Sequence, residues 1–271
     1  LPAGGLFFPE AGWLHPPALC RLLATHPNIR LLPHQEAAEL RRDGDRWQAL
    51  DGERLLAEAP VAILAGAAEV GRFPQAAGLP LKRIRGQITR LPASAESRAL
   101  RTVVCAEGYV APPRNGEHTL GASFDFVGSE PIPTVAEHVS NLALLEEISA
   151  DLARRVGAEQ LVPERLEGRA AFRCTSPDYL PIVGPLADAE AFAAAYAVLA
   201  RDARQVPDTP CPWLDGLYVN TAHGSRGLIT APLAAELLAA WLDDEPLPLP
   251  RAVAQACHPN RFLLRKLIRG Q

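Results

Sequence analysis

In the N-terminal part of the chain, the spacing of apolar residues changes from one segment to the next, and each spacing predicts a helix or a strand. Residues 16–26 (PPALCRLLATH) carry an apolar stripe behind two prolines, which predicts a helix. Residues 28–32 (NIRLL) predict a short strand, and residues 36–50 predict a hairpin that turns at Asp43-Gly44-Asp45. Residues 60–70 (PVAILAGAAEV) are almost entirely apolar, which predicts a strand buried on both faces.

Polar and apolar residues alternate in the middle of the chain, as they do in antiparallel strands. Residues 85–93 and 101–126 show this alternation, and Asn115-Gly116 predicts a hairpin turn within the second stretch. Residues 134–156 carry a helical stripe instead, which predicts one long helix with Thr134 as its N-cap.

The C-terminal part returns to strands and helices in alternation. The pattern predicts strands at 167–174 and 216–222, and helices at 189–201 and 228–243. Because α/β segments at both ends enclose antiparallel strands and a long helix, the order predicts a mixed α/β (α+β) fold. One α/β domain would carry a second, sheet-rich domain inserted into it.

Composition limits the class of protein. The chain has 271 residues, of which 48% are apolar, so it has enough apolar side chains for a sizeable core. No apolar run is long enough to cross a membrane, and no membrane association is expected. The five cysteines form no CxxC pair, which argues against a disulfide framework or a metal site and predicts a cytoplasmic protein. The chain contains no methionine, from which we expect a piece of a longer protein.

Positive charge is concentrated in two stretches, although the net charge is −4. Residues 251–271 carry five cationic side chains and no acidic one, and residues 82–101 carry six cationic side chains and one acidic one. Such stretches favour an anionic substrate or a polyanion such as nucleic acid, or they form an ordinary solvated surface.

The loop His223-Gly224-Ser225-Arg226-Gly227 lies between a predicted strand and a predicted helix. A helix N-terminus presents unpaired N–H groups and partial positive charge, and glycines let a ligand approach the backbone closely. This arrangement favours a phosphate, a carboxylate or the electron-rich edge of a ring. The alternative is a tight strand–helix turn that binds nothing.

Six motifs occur in one collinear series: GGLFFPEAGWLHPPALCRLL, PVAILAGA, IRGQ, EGYVAPPRNGEHTLGASF, FRCTSPDYLPIVGPL and GLYVNTAHGSRGLITAPLAAELLA. Together they resemble the D-amino-acid oxidase (DAO) superfamily of FAD-dependent flavoproteins. The first motif and the ending HPNRFLLRKLIRG are similar to the C-terminal oxidoreductase half of bifunctional tRNA-modifying enzymes. The resemblance covers nearly the whole chain.

The resemblance implies a DAO-type flavoprotein with two domains. The FAD-binding, Rossmann-like domain would consist of residues 12–80 and 175–271, and the substrate-binding domain with its antiparallel sheet of residues 1–11 and 81–174. The implied reaction is FAD-dependent oxidation of the carboxymethylaminomethyl group on wobble (thio)uridine of tRNA, which releases glyoxylate and leaves the aminomethyl group. The implied partners are tRNA, through the carboxylate on its modified uridine, and a methyltransferase half in the parent chain.

The resemblance also implies three residues that bind the substrate carboxylate, namely Arg173, Arg226 and Tyr109. A guanidinium can bind a carboxylate through two parallel hydrogen bonds. A simpler role stays open for each of them. Arg173 would form an ion pair with Asp178 or Glu107, and Arg226 would cap the helix or pair with Glu236. Tyr109 would be a half-buried aromatic residue of a strand.

The residues implied to contact FAD are Gly86, Gln87, His223, Gly224, Ser225, Arg226, Gly227 and Leu228. The simpler role for His223 is to close the end of a strand. The tRNA-binding candidates are Arg261, Arg265, Lys266 and Arg269, and the alternative for residues 258–269 is an amphipathic helix that docks on its own protein. No catalytic base is expected, because hydride transfer from a neutral amine needs positioning and electrostatics only.

The sequence departs from the family at the phosphate cradle, because a strand followed by G-x-G-x-x-G does not occur in it. We therefore expect an internal-to-C-terminal piece that holds the flavin-ring side of the site, with FAD binding by this chain alone left open. The alternatives to tRNA oxidation are a free glycine-, sarcosine- or D-amino-acid-type flavin oxidase and a non-catalytic tRNA-binding fragment.

Overall fold

The chain forms two compact units in the computed structural model, which describes residues 4–205 and 207–270. Unit 1 consists of Leu1–Ile29 and Ile84–Phe172, and unit 2 of Arg30–Arg83 and Arg173–Gln271. The predicted domain boundaries after residues 80 and 174 lie close to two of these boundaries. Residues 12–29, predicted to belong to the FAD-binding domain, cluster with unit 1 instead. Residues 1–3, 206 and 271 of the predicted domains lie outside the described residues, and the ligand of each domain stays a prediction.

A five-stranded sheet in the order β6-β7-β8-β5-β9 forms the framework of unit 1. Its strands are β5 (Lys82–Pro92), β6 (Val104–Cys105), β7 (Tyr109–Val110), β8 (Glu117–Gly121) and β9 (Gly168–Thr175). The pairs β6–β7, β7–β8 and β8–β5 are antiparallel. The predicted turn is confirmed, because Asn115 and Gly116 have φ angles of 55° and 83°, as a tight hairpin turn requires.

The helices of unit 1 are α1 (Pro16–Leu23), α2 (Val135–Ile148) and α3 (Ala150–Val156). The prediction of one helix over 134–156 was wrong at Ser149, whose extended backbone (φ −169°, ψ 107°) separates α2 from α3. The Ser149 hydroxyl accepts a hydrogen bond from Leu152 N, so this residue begins a new helix. Thr134 is confirmed as the N-cap of α2, since its hydroxyl accepts from Glu137 N.

The core of unit 1 lies between α2, α3 and one face of this sheet. Leu91, Val110, Leu120 and Leu145 are completely buried in it. The first three of these residues alternate with outward-facing neighbours along their strands, so the period-two pattern of the sequence selects the buried face.

Two three-stranded sheets form unit 2. The first, in the order β1-β2-β3, contains β1 (Glu39–Asp43), β2 (Arg46–Asp51) and β3 (Arg54–Ala59). Its first hairpin is confirmed, with Gly44 in the turn at φ 58°. The second, in the order β10-β11-β4, contains β4 (Ala62–Leu64), β10 (Ile182–Ala187) and β11 (Trp213–Thr221), with β11 antiparallel to β10 and parallel to β4.

The described part of unit 2 contains the helices α4 (Ala189–Ala195), α5 (Gly227–Leu242), α6 (Arg251–Cys257) and α7 (Asn260–Ile268). The α5 helix buries Ala234, Leu237 and Leu238 in a cluster with Val183 of β10. The alanine-rich segment predicted as one helix continues after α4 as a 3₁₀ turn, Ala197–Ala200.

Two strand predictions were wrong, the first entirely and the second in part. Residues 28–32 form no strand, because the described chain supplies no neighbouring strand to complete their backbone hydrogen bonds. The strand predicted within 60–70 exists as β4 but lies at the edge of its sheet, where Val61 and Ile63 are 37% and 44% exposed. Among residues 4–205 and 207–270, no helix has the length and apolar character that crossing a membrane requires.

Candidate functional site

The loop between β11 and α5 is built from unusual backbone conformations. Ala222 and Gly224 have φ angles of 63° and 57°, which turn the chain sharply from the strand into the helix. Gly224 N donates to Cys174 O at 2.7 Å, and His223 forms a bridge with Thr175. The end of β9 therefore holds this loop in place.

His223 is half-buried in the loop and both of its ring nitrogens have partners. Nε2 lies 2.8 Å from Asn220 Oδ1, and Nδ1 lies 2.8 Å from Thr230 Oγ1. Burial lowers the pKa of the His223 ring, so the neutral form is favoured at pH 7. In that form Nε2 carries the ring proton and donates to Asn220 Oδ1. The ring joins β11 to α5, which supports the simpler role, closing the strand end.

Arg226 immediately precedes the first residue of α5, and no side chain caps the helix there. Its side chain is exposed, and the described part of the chain offers its guanidinium neither a hydrogen-bond nor an ion-pair partner, Glu236 included. The exposed residues Ser225 and Leu228 flank it. A free guanidinium and the positive end of a helix dipole thus lie together at one surface.

Arg173 lies half-buried in β9, next to the buried Cys174. One predicted alternative was an ion pair between Arg173 and Asp178. The Asp178 carboxylate pairs with two other arginines instead. Arg261 binds both oxygens of the Asp178 carboxylate at 3.0 Å, and Arg265 binds one of them at 2.6 Å. Burial would raise the pKa of the Asp178 carboxyl, but hydrogen bonds from Arg261, Arg265 and Ser176 outweigh it and hold that pKa well below its usual range.

The predicted tRNA-binding residues of α7 do not have equivalent surroundings. The Arg261 side chain is only 7% exposed, and besides Asp178 it donates to the carbonyl oxygens of Cys257, His258 and Leu180. Its predicted role in RNA binding is therefore corrected, because a buried, fully bonded guanidinium cannot reach a phosphate. Arg265 is half-exposed, and Lys266 and Arg269 are exposed, so for these three residues the role stays a prediction.

Tyr109, Gly86 and Gln87 belong to unit 1, whereas Arg173 and the 223–228 loop belong to unit 2. Gln87 is completely buried, and its side chain bonds both backbone atoms of Thr134, with Thr134 N donating at 2.7 Å and Thr134 O accepting at 2.9 Å. The Gln87 side chain thus fixes the start of α2, and the predicted position of Gly86 and Gln87 beside FAD stays a prediction.

Tyr109 and Gly86 lie on the other face of the sheet from Gln87. Tyr109 is opposite Gly121, and Gly121 is opposite Ile88, the residue two positions after Gly86. Side chains alternate along a strand, so Gly86, Ile88, Gly121 and Tyr109 share one face. The structure thus brings two predicted residues of unit 1 to one face.

Phe124, the last residue of the motif EGYVAPPRNGEHTLGASF, lies on the same face and was given no role in the sequence analysis. The backbones of Arg85 and Asp125 form an antiparallel β-bridge, and Ser123 N donates to Gln87 O. This register sets Phe124 opposite Gly86. The Phe124 side chain is 53% exposed. Strict alternation from Leu120 would set Phe124 on the core face, and a one-residue shift of register between Gly121 and Ser123 sets it opposite Gly86 instead.

The protein family described as "DAO: FAD dependent oxidoreductase" matches residues 1–241. Over all 271 residues the chain is 74% identical to the "tRNA 5-methylaminomethyl-2-thiouridine biosynthesis bifunctional protein MnmC" of Pseudomonas putida (strain GB-1), and it covers 41% of that protein. It is 71% identical over 268 residues to the protein of the same name from Pseudomonas fluorescens (strain Pf0-1), covering 99% of this chain and 41% of the relative. The chain thus spans about two fifths of the length of these curated relatives.

Two solved structures show the same fold. Glycine oxidase from Geobacillus kaustophilus matches with a TM-score of 0.58 and 18% identity, covering 83% of this chain and 52% of its own. L-Proline dehydrogenase from P. horikoshii matches with a TM-score of 0.57 and 14% identity, covering 87% of this chain and 55% of its own. The predicted DAO-type fold is confirmed.

Proposed function

Because the chain belongs to the DAO family of FAD-dependent oxidoreductases, we propose that it carries the oxidation step of a tRNA-modifying enzyme. The reaction breaks the C–H bond beside the secondary amine of a carboxymethylaminomethyl group on wobble (thio)uridine. Hydrolysis of the resulting imine releases glyoxylate and leaves the aminomethyl group on the uridine. The name of the relatives, which refers to tRNA 5-methylaminomethyl-2-thiouridine biosynthesis, supports tRNA as the substrate class.

The surface at the start of α5 is the observation that carries the proposal. Gly224 and Gly227 keep the backbone open there, and Arg226 presents an exposed guanidinium beside an uncapped helix N-terminus. These groups fit the electron-rich edge of a flavin ring, and Ser225 and Leu228 complete the residues that would hold it. When bound, FAD supplies the acceptor for the hydride that leaves the substrate carbon.

The chain's own residues bind and orient the substrate in this proposal. Within unit 2, Arg173 and Arg226 are the proposed ligands of the carboxylate, because a guanidinium can bind a carboxylate through two parallel hydrogen bonds. Carboxylate binding by Tyr109, which belongs to unit 1, stays a prediction. His223 is neutral and bonded at both nitrogens, so it positions the loop and transfers no proton. With the amine bound in its neutral form, the reaction needs no general base from the protein.

The FAD pyrophosphate is not assigned to any residue of this chain. A G-x-G-x-x-G motif does not occur among the 271 residues, and the longer relatives extend well beyond the aligned part. A methyltransferase half in the parent protein is also part of the proposal, as the partner that acts on the aminomethyl group left on the uridine.

The exposed cations of α7 supply the proposed contact with RNA. Lys266 and Arg269 are exposed, and Arg265 is half-exposed while it bonds Asp178. Lys266 and Arg269 can neutralise backbone phosphates without any change in the buried part of the helix, and Arg265 can do so when it leaves Asp178.

The proposal is tested by the visible absorption spectrum of the purified chain after incubation with FAD and desalting. Retained flavin absorbance and release of glyoxylate from tRNA that carries the carboxymethylaminomethyl group are expected. Arg226→Ala should weaken both, whereas Arg204→Ala, which changes an exposed arginine paired with Asp202, should weaken neither. Oxidation of free glycine or sarcosine without action on tRNA would favour the free amino-acid oxidase, and a colourless chain that binds tRNA would favour the non-catalytic fragment.

A further inference from the structure

Three residues that have no part in the proposed oxidation meet on the surface of unit 1. His15 immediately precedes α1, and Arg21 lies in the last turn of that helix. Arg114 comes from a different motif and precedes the Asn115-Gly116 turn of the β7–β8 hairpin. Arg114 Nη1 lies 3.3 Å from His15 Nε2, so the tip of this hairpin contacts the start of α1.

The backbone of Arg114 is fixed by the hairpin turn. Arg114 N donates to Glu117 O at 2.8 Å, and Glu117 N donates to Arg114 O at 3.2 Å. Asn115 and Gly116, which lie between them, have the positive φ angles of a tight hairpin turn. Both hydrogen bonds use the backbone of Glu117, so its carboxylate does not neutralise Arg114 through them. The exposed guanidinium of Arg114 therefore starts from a fixed point and is oriented by His15.

His15 orients Arg114 without neutralising its charge. A guanidinium has N–H donors and no acceptor, so His15 Nε2 accepts in this contact and carries no proton. Burial lowers the pKa of the His15 ring, and the positive charges of Arg114 and Arg21 lower it further, which favours the neutral ring. The ring proton is then on Nδ1, which is buried and has no hydrogen-bond partner within the described part of the chain. The ring thus offers no second acceptor to either arginine.

The positive charge of this cluster has no negative partner. Arg21 and Arg114 are both exposed, and neither forms an ion pair within residues 4–205 and 207–270. No acidic residue occurs from position 11 to position 35, so α1 and the segments beside it supply no counter-charge. By contrast, Arg154 and Arg155 of α3 share the carboxylate of Asp151. Two unpaired guanidiniums beside one another favour an anion from outside the chain.

We propose that Arg21 and Arg114 bind the phosphate backbone of the tRNA substrate, with His15 as the residue that positions Arg114. The inference rests on the proposed function, because it takes RNA as the substrate. Guanidiniums bind phosphate oxygens through paired, charge-assisted hydrogen bonds. The cluster is exposed at the tip of a hairpin. It therefore fits a phosphate that a large partner presents, whereas a small free anion is bound best where a pocket encloses it.

The experiment measures binding of the 271-residue chain to fluorescein-labelled tRNA by fluorescence anisotropy at several salt concentrations. Replacing Arg21 and Arg114 together with alanine should reduce the slope of log affinity against log salt by about 2, because each neutralised phosphate contributes about 0.9. Arg114→Ala alone should reduce the slope by about 1, and Arg114→Lys, which keeps the charge, should restore it. Thermal unfolding of these variants should match the wild type, because the replaced side chains are exposed.

A double-mutant cycle tests the positioning role of His15. In a His15→Ala background, Arg114→Ala should cost less affinity for tRNA than it does in the wild type, because Arg114 is no longer oriented there. An equal cost in both backgrounds would remove His15 from the site.

A variant with alanine at Arg154 and Arg155 is the matched control, because these exposed arginines of the same unit already have Asp151 as a partner. It should keep the wild-type slope, and inorganic phosphate at constant ionic strength should not displace tRNA from the wild type. A wild-type slope after replacement of Arg21 and Arg114, or an equal reduction in the control, would overturn the inference and leave the proposed substrate class standing. Displacement of tRNA by inorganic phosphate from the wild type alone would assign the site to free phosphate instead. A wild-type chain that does not bind tRNA would contradict the proposed function and the inference together.

Discussion

Single residues hold the loop at the start of α5 in shape. Gly224 has a φ of 57°, a region that L-residues with a side chain occupy at a cost. His223 bonds Asn220 on one side and Thr230 on the other, so it ties the loop to strand and helix. The conformation of this loop therefore depends on backbone geometry as well as on side-chain contacts.

Gly224→Ala is expected to lower the free energy of unfolding by about 1–2 kcal/mol, because alanine is strained at this φ. Urea denaturation measures the loss. Gly227→Ala is the matched control, since a Cβ there would lie at an ordinary 3.6 Å from His223 Cβ and φ is not positive. A similar loss in both variants would contradict this explanation.

Asp178 gives the chain a predictable response to acid. Its pKa is lower in the folded state than in the unfolded chain, so its contribution to stability is fully present well above the unfolded pKa of about 3.9. That contribution declines as the pH falls below this value, because the unfolded chain then takes up the proton first. The buried Arg261 loses its charged partner as Asp178 is protonated.

Asp178→Asn is expected to lower the free energy of unfolding by about 3 kcal/mol near neutral pH, because it leaves Arg261 buried without a counter-charge. The difference from wild type should narrow as the pH falls below about 4. Urea unfolding at a series of pH values measures it, with Asp202→Asn in an exposed pair as the control of little effect. A difference that stays constant over this pH range would exclude the linkage.

At the scale of elements, a capping residue decides where one helix ends and the next begins. Ser149 interrupts a stretch whose helical stripe continues from α2 into α3. Its hydroxyl satisfies Leu152 N, and the capping preference of serine outweighs the continuity of the apolar pattern. After the break, α3 buries Leu152 and Val156 in the core of unit 1.

Ser149→Ala is expected to lower the free energy of unfolding by about 1 kcal/mol through the loss of this cap. Ser140→Ala serves as the comparison, because the Ser140 hydroxyl donates to Ala136 O inside α2 and caps nothing. Chemical denaturation of both variants checks the difference. No difference between the two substitutions would show that the break in the helix does not depend on the cap.

At the scale of the whole molecule, the burial of each cationic side chain decides whether it can contact RNA phosphates. The cationic side chains of α7 divide into the buried Arg261 and the more exposed Arg265, Lys266 and Arg269. Only the exposed group can release counterions when a polyanion binds. Within α7, the salt dependence of binding therefore reports on this group alone.

Replacing Arg265, Lys266 and Arg269 together with alanine is expected to reduce the slope of log affinity for tRNA against log salt by about 2. The control variant has alanine at Arg41, Arg46 and Arg54 of the β1-β2-β3 sheet and should keep the wild-type slope; Arg41 and Arg54 are exposed, and Arg46 is half-exposed. Anisotropy at several salt concentrations measures both. An unchanged slope in the first variant would show that these three side chains do not bind RNA phosphates, and it would favour the alternative that α7 only packs against its own protein.

The sequence by itself determined the elements whose signals are local. The turns at Gly44 and Asn115-Gly116, the N-cap at Thr134 and the alternation in β5 and β8 all depend on neighbours within a few positions. The order of the motifs carried the family resemblance. These features survive in any context because backbone sterics and nearby hydrogen bonds produce them.

Only the tertiary structure decided which partner each polar side chain takes. Asp178 meets Arg261 from 83 positions along the chain, and Gln87 meets Thr134 from 47 positions away. It also decided that β4 lies at a sheet edge and that residues 28–32 form no strand. The physical reason is the same in each case, because the burial of a side chain and the pairing of a strand depend on segments that are distant in sequence and adjacent only in the folded chain.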